Sequence, residues 1–177
     1  NLISNSNQRI TSTSYLVKEY FINEDFVEGE VYTVIIKGDI NEGQQFGLWQ
    51  NRGSHRRGLF DDLGNGLFRL TFDSTATTSG SERNIRIYNY PSDGAKSATI
   101  EWIKFVRGNK TSLNWTPAPE DTEQDISNLR GRVNTAEGEI RTLAGEVSLK
   151  ASQSTVDSLE QRVSTAEGEL QVLPGQI

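Results

Sequence analysis

Hydrophobic and polar positions alternate along most of the first two-thirds of the chain, and then the alternation stops. Six short runs carry it: "YLVKEYFI" (15–22), "EVYTVIIKG" (30–38), "QFGLWQ" (45–50), "GLFRLTF" (66–72), "NIRIYNY" (84–90) and "ATIEWIKFV" (98–106). Each is rich in β-branched or aromatic residues, which fit a pleated surface, and repeats with a period near two. Turn signals part them, at "EG" (28–29), "NEG" (41–43), "LGNG" (63–66), "TTSGS" (77–81) and "PSDG" (91–94). No segment before residue 117 has helical periodicity. Short strands between regular turns predict a mainly β chain here, an antiparallel β-sandwich or jelly roll over residues 1–118.

The pattern changes at "WTPAPEDTEQD" (115–125), where Pro117 and Pro119 form a stiff stop. All three Trp, all five Tyr and all seven Phe precede Pro117. Residues 119–125 read as a Pro-rich, acidic linker. Beyond it, Ile126, Leu129, Val133, Ala136, Ile140, Leu143 and Val147 follow a 3,4 spacing without error, the a/d seam of a coiled coil. With Ile126 at a, Gly131, Gly138 and Gly145 fall at f, the outermost position. Each costs about 1 kcal/mol against Ala, and a lone helix of this length is marginal in water. The seam is therefore expected to be buried on another helix.

A second copy follows at Val156, Leu159, Val163, Ala166, Leu170 and Leu173; aligning 126–147 with 156–177 gives ten identities. The two seams are offset by nine residues from Val147 to Val156, not seven, and Lys150 and Ser154 stand where d and a should be. Two coiled-coil segments, 126–147 and 156–177, are expected, with a break at 148–155: a kink, a short strand or a turn-back. Arg132 with Glu137, Asp125 with Arg130, and Arg162 with Glu167 stand at g and e, where parallel neighbours pair charges. β-branched residues at a, with Leu at two of three d positions, favour a parallel dimer.

Composition narrows the function. The net charge is −6 with both signs interspersed, which argues against a nucleic-acid or anionic-membrane footprint. Mean hydropathy is −0.56, and no apolar run approaches membrane-spanning length or resembles a signal peptide. Cys is absent, which removes disulfides, Cys-ligated metals and Cys nucleophiles. Met is absent even at position 1, as expected of a piece of a longer protein. No nucleophile-elbow, zinc-protease or P-loop pattern occurs. Asp61 and Asp62 are adjacent and would point to opposite faces of a strand. A glycosidase would need two carboxylates across one bond, for example Glu101 with Asp61 or Asp73, and solvated surface acids are the simpler reading. "NEDF" (23–26) and "FDDLGN" (60–65) offer oxygens but match no calcium loop. The expectation is a non-enzyme with no catalytic residues, no metal and no cofactor.

What remains is binding. A sugar needs a flat aromatic platform for its C–H face and planar hydrogen-bonding groups for its hydroxyls. With Ile85 and Ile87 inward, alternation leaves Arg86, Tyr88 and Tyr90 on the other face; with Phe46 and Leu48 inward, Trp49 is out of phase with the core. The next stretch, "QNRGSHRRG" (50–58), reads as a loop carrying Asn51, Arg52, His55, Arg56 and Arg57. Trp49 with these loop residues and Arg86, Tyr88 and Tyr90 forms the candidate carbohydrate site. In the competing reading Trp49 is core and the arginines pair with Asp61, Asp62 and Glu101. Trp102 and Trp115 read as packing residues, Trp115 clamping the exit of the chain.

The segment "IEWIKFVRGNKTSLNWTPAPED" (100–121) resembles the end of a β-sandwich module of tail-tip, baseplate and side-fibre proteins from phages of Gram-positive bacteria. "NLISNSNQRITSTSYLVKEY" (1–20), "VEGEVYTVIIKGDINEGQQFGLW" (27–49) and the link "VSLKASQSTVDSL" (147–159) are similar to the same group. The resemblance implies a carbohydrate-binding-like jelly roll on a trimeric stalk in the virion, with host cell-surface polysaccharide, its own copies and other tail proteins as partners. A spacer that orients a distal receptor-binding or lytic domain is the alternative. The resemblance carries over no individual binding residue. It favours a trimer over the dimer of the heptad rules, and a parallel homotrimer is the expectation taken.

Overall fold

The computed structural model describes residues 1–94 and 96–172. Nine strands precede one helix: β1 Ile10–Ser12, β2 Leu16–Phe21, β3 Val31–Ile40, β4 Gln45–Gln50, β5 His55–Leu59, β6 Asp61–Asp62, β7 Leu67–Asp73, β8 Asn84–Tyr90, β9 Ala98–Arg107 and α1 Pro119–Val172. All pairings are antiparallel, in a five-stranded sheet β1-β9-β3-β7-β6 and a four-stranded sheet β2-β8-β4-β5. The six expected strands are present. The "QNRGSHRRG" stretch is not all loop: a 3-10 turn at Asn51–Gly53 leads into β5. Its Arg-Arg-Gly run has no apolar alternation, and pairing with β4 makes it a strand.

One core lies between the sheets. Alternation supplies it: Tyr32, Val34 and Ile36 from β3, Phe46 and Leu48 from β4, Ile85 and Ile87 from β8, Ile103 and Phe105 from β9. The rings of Phe26, Tyr32, Phe72 and Phe105 meet at centroid distances of 5.2–6.0 Å, the spacing at which aromatic pairs attract.

The outer faces of the two sheets differ. On the five-stranded sheet, Ile35 and Lys104 point away from the core yet are buried. The Lys104 ammonium donates to the carbonyls of Ser112 and Asn114 and to the Ser112 hydroxyl at 3.0–3.1 Å, and burial lowers its pKa. The exit segment thus lies over this face. Trp115 helps to hold it, donating from its indole to Ser6 Oγ at 3.0 Å. On the outer face of β2-β8-β4-β5, Trp49, Arg86, Tyr88 and Tyr90 remain partly accessible.

The helix corrects two sequence expectations. Residues 119–125 are its first turns rather than a linker. Proline's fixed φ suits the first helical position, and Glu120 and Asp121 lie where the helix dipole favours negative charge. Asp121 also accepts from the backbone N–H groups of Asn5 and Ala118. The expected break at 148–155 is not present either: α1 runs through it. A shift of seam changes which side is apolar and leaves the backbone hydrogen bonds of a helix intact. Residues 1–124 and 125–177 form two compact units. In the second, the seam from Ile126 to Val147 and from Val156 to Leu170 is solvent-exposed throughout; Leu173 lies outside the described residues.

Candidate functional site: the outer face of the four-stranded sheet

Strand register places the candidate residues in rows. Glu19, Arg86, Trp49 and Arg56 stand side by side across β2, β8, β4 and β5, and Leu16, Tyr88, Gly47 and Leu59 form the next row. Tyr90 pairs with Gln45 one step further on. Cross-strand neighbours share a face, so these side chains meet although they are far apart in sequence. The face follows from the alternation that fills the core: Leu48, Ile85 and Ile87 are fully buried, while Trp49, Arg86, Tyr88 and Tyr90 are half-buried.

The rings form a cluster. Trp49 meets Tyr88 edge-on at 4.9 Å and lies 6.3 Å from Tyr90. Tyr15 lies 4.7 Å from Tyr88. The Arg56 guanidinium sits 4.9 Å from the Tyr90 centroid and 5.8 Å from that of Trp49, within reach of both ring quadrupoles. Burial raises the pKa of the Tyr15 hydroxyl, helped by Tyr88 and Tyr90 and opposed by Arg56. Trp49 has its position because Gly47 has no side chain. A Cβ on Gly47 would stand 2.4 Å from Cζ3 of the indole and 3.0 Å from Leu59. Gly47→Val is therefore expected to push the indole off the sheet, red-shifting tryptophan emission while far-UV circular dichroism keeps its strand signal. An unchanged emission maximum would refute this placement.

A polar frame borders the rings. Arg86 Nε donates to Glu19 Oε1 at 2.9 Å, Asn84 Nδ2 donates to the same oxygen at 2.9 Å, and Arg86 NH1 donates to the Arg52 carbonyl at 2.7 Å. Gly53, at φ +93°, brings the 51–53 turn close: a Cβ there would lie 2.4 Å from the Tyr88 hydroxyl. The bonds from Arg86 and Asn84 lower the Glu19 pKa, and Tyr88 and Glu19 raise that of Arg86. Because the folded Glu19 value is depressed, its stabilisation is present above the ordinary glutamate value of 4.5 and lost as pH falls through the depressed value. Both side chains are partly solvated, so the effect is modest. Glu19→Gln is expected to flatten the acid limb of urea midpoint against pH; an unaltered limb would show that the pair contributes nothing.

The other sequence candidates divide. Asn51 is buried, and its amide is used within the fold: Nδ2 donates to the Ala76 carbonyl at 2.9 Å, and Oδ1 accepts from the Thr78 N–H at 2.9 Å. It anchors the turn and presents no free group to a ligand. Arg57 turns away from the rings and donates to the Asp73 carbonyl at 3.2 Å. Arg52 is exposed and donates to the Gly80 carbonyl at 3.1 Å. His55 is exposed, with Nδ1 2.8 Å from Ser54 Oγ. The alternative pairing of this arginine cluster with Asp61, Asp62 and Glu101 is not what the fold makes: Glu101 pairs with Arg9 at 3.5 Å, and Arg52, Arg56 and Arg57 form no salt bridge among the described residues.

Sequence reading missed Tyr15, Glu19 and Gly47. Tyr15 lies in phase with core-facing Val17, and a register shift between Leu16 and Lys18 breaks that phase. Only the pairing of β2 with β8 shows that Tyr15 reaches Tyr88. An open cleft of about 370 Å³ lies elsewhere, between the 38–45 and 60–68 segments. Asp39, Glu42 and Asp62 line it, but its rings, Phe60 and Phe68, are buried and present no free aromatic face. No group of three or more His, Cys, Asp or Glu able to hold a metal occurs among the described residues.

No protein-family model and no curated protein sequence matches the chain. Among solved structures, the C-terminal domain of EclA, a sugar-binding protein, is similar at a TM-score of 0.38 and 15% identity, over 60% of this chain and 82% of that one.

Proposed function

We propose that the sandwich is a non-enzymatic glycan-binding module displayed by a self-associating helical stalk, and that it serves adhesion to a host cell surface as part of a phage tail. The observation that carries the binding reading is the cluster of Trp49, Tyr88, Tyr90 and Tyr15 on a partly accessible outer sheet face, bordered by Arg56 and the Arg86–Glu19 pair. Such a surface joins apolar ring faces to fixed donors and an acceptor, the combination that a sugar's C–H and hydroxyl groups require. The strand order β1-β9-β3-β7-β6 against β2-β8-β4-β5 supports the jelly-roll reading, an architecture that includes lectin domains. The exposed seam, with Arg132/Glu137 and Arg162/Glu167 at g and e, supports parallel self-association. The phage-tail setting and the choice of a trimer rest on the sequence resemblance. Several weak sites on one stalk would raise avidity without any one of them being strong.

One observation favours the second reading, a spacer: Arg56 already lies over Trp49 and Tyr90, so a ligand must displace it to stack there. An array of bacterial cell-wall polysaccharides, probed with the whole chain, separates the two. Retention of a defined polysaccharide supports adhesion; a folded, assembled chain that retains none supports the spacer, and release of fragments would make it an enzyme. Sedimentation equilibrium is expected to show the mass of three 19.7 kDa chains; a dimer or monomer mass would refute the trimer.

A further inference from the structure

The single helix carries two seams that face different ways. The first ends at Val147. The second begins earlier than its repeat does, because Leu149, Ser152 and Val156 already follow its 3,4 spacing. The nine residues from Val147 to Val156 are two and a half turns of a 3.6-residue helix. In the continuous helix the two apolar stripes therefore leave the junction on opposite sides. Both are exposed: Ile126, Val133 and Ile140 are 46–65% accessible, and Val156, Leu159 and Val163 are 46–55% accessible.

The two stripes ask for the same partner. The second copy repeats the Val, Ala and Leu of the first, and it repeats the charges too, with Arg162 and Glu167 standing where Arg132 and Glu137 stand. In a parallel assembly these g and e residues complement each other across the interface in both segments. A copy of this chain satisfies both seams with one set of contacts.

A straight coiled coil cannot bury both. Heptad coiled coils absorb the mismatch between 3.6 and 3.5 residues per turn, about 3° per residue. Realigning the second seam within residues 148–155 would need roughly 20° per residue, far beyond that. The junction also lacks large apolar side chains. Between Leu149 and Val156 the only apolar side chain is Ala151, and Ser152, Ser154 and Thr155 are poor helix formers.

Resting on the self-association reading above, we propose that copies of this chain cover both seams about one axis, and that assembly gives up the helix within residues 148–155 to bring the seams into line. The chain has no Cys, so Val133→Cys and Val163→Cys, each made alone in the full chain, report one seam apiece against a silent background. Under mild oxidation both variants are expected to form interchain disulfides. In the assembled wild-type chain, amides of 148–155 are expected to exchange hydrogen at least about tenfold faster than those of 130–145. Cross-linking by Val133→Cys without Val163→Cys would overturn the shared axis. Cross-linking by both, with 148–155 as protected as 130–145, would overturn the loss of helix. Cross-linking by neither would remove the self-association on which the proposal stands.

Discussion

Trp49→Ala is expected to weaken binding to a retained cell-wall polysaccharide by about 30- to 150-fold per site, the loss of roughly 2–3 kcal/mol of ring contact. The fold should tolerate the change. Trp49 is half-buried on the outer face, its ring contacts there are Tyr88 and Tyr90, and the core residues of β4 point the other way. A partly exposed side chain of this kind costs on the order of 1 kcal/mol of stability when removed. Calorimetry on the chain and its variant, with urea melts of both, reads the two effects separately. Losses of folding and binding in equal measure would place Trp49 in the structural framework. Unchanged affinity in a folded variant would remove the outer face as the site. In the proposed oligomer, avidity on whole cells would fall further than the single-site constant, because every arm loses its site together.

Phe105→Ala is expected to produce the largest loss of stability. The Phe105 ring is fully buried and lies 5.5–6.0 Å from Tyr32, Phe26 and Phe72. Deleting it removes the hub of that cluster and leaves a cavity that a strand in mid-sheet cannot close, at about 3–5 kcal/mol. Against the 5–15 kcal/mol that stabilises most domains, this is a large fraction. With a urea slope of about 2 kcal/mol/M, the sandwich transition should fall by roughly 2 M. Tryptophan emission is a selective probe, since all three Trp lie before Pro117. A shift below about 0.5 M would mean that the cluster repacks around the vacancy.

What depends on strand alternation was legible in the sequence, whereas the break that the seam spacing predicted at 148–155 did not form. The six main strands, the inward set Phe46, Leu48, Ile85 and Ile87, and the outward set Trp49, Arg86, Tyr88 and Tyr90 all follow from a period of two, because the pleat turns successive side chains to opposite faces. The 3,4 spacing likewise marks an apolar stripe along α1, which the structure leaves exposed. What depends on a partner strand was not legible. The Arg-Arg-Gly stretch becomes β5 because β4 offers it an edge, and Tyr15 joins the ring cluster because β2 pairs with β8 across a register shift. Asn51 looked like a ligand-binding amide, but the 76–78 segment passes close enough to take both ends of its side chain. Lys104 is buried because the exit segment covers it and supplies carbonyls for its ammonium. Each of these outcomes is set by a contact between residues distant in the chain, and one-dimensional periodicity records only how a segment divides its faces, not what arrives to meet them.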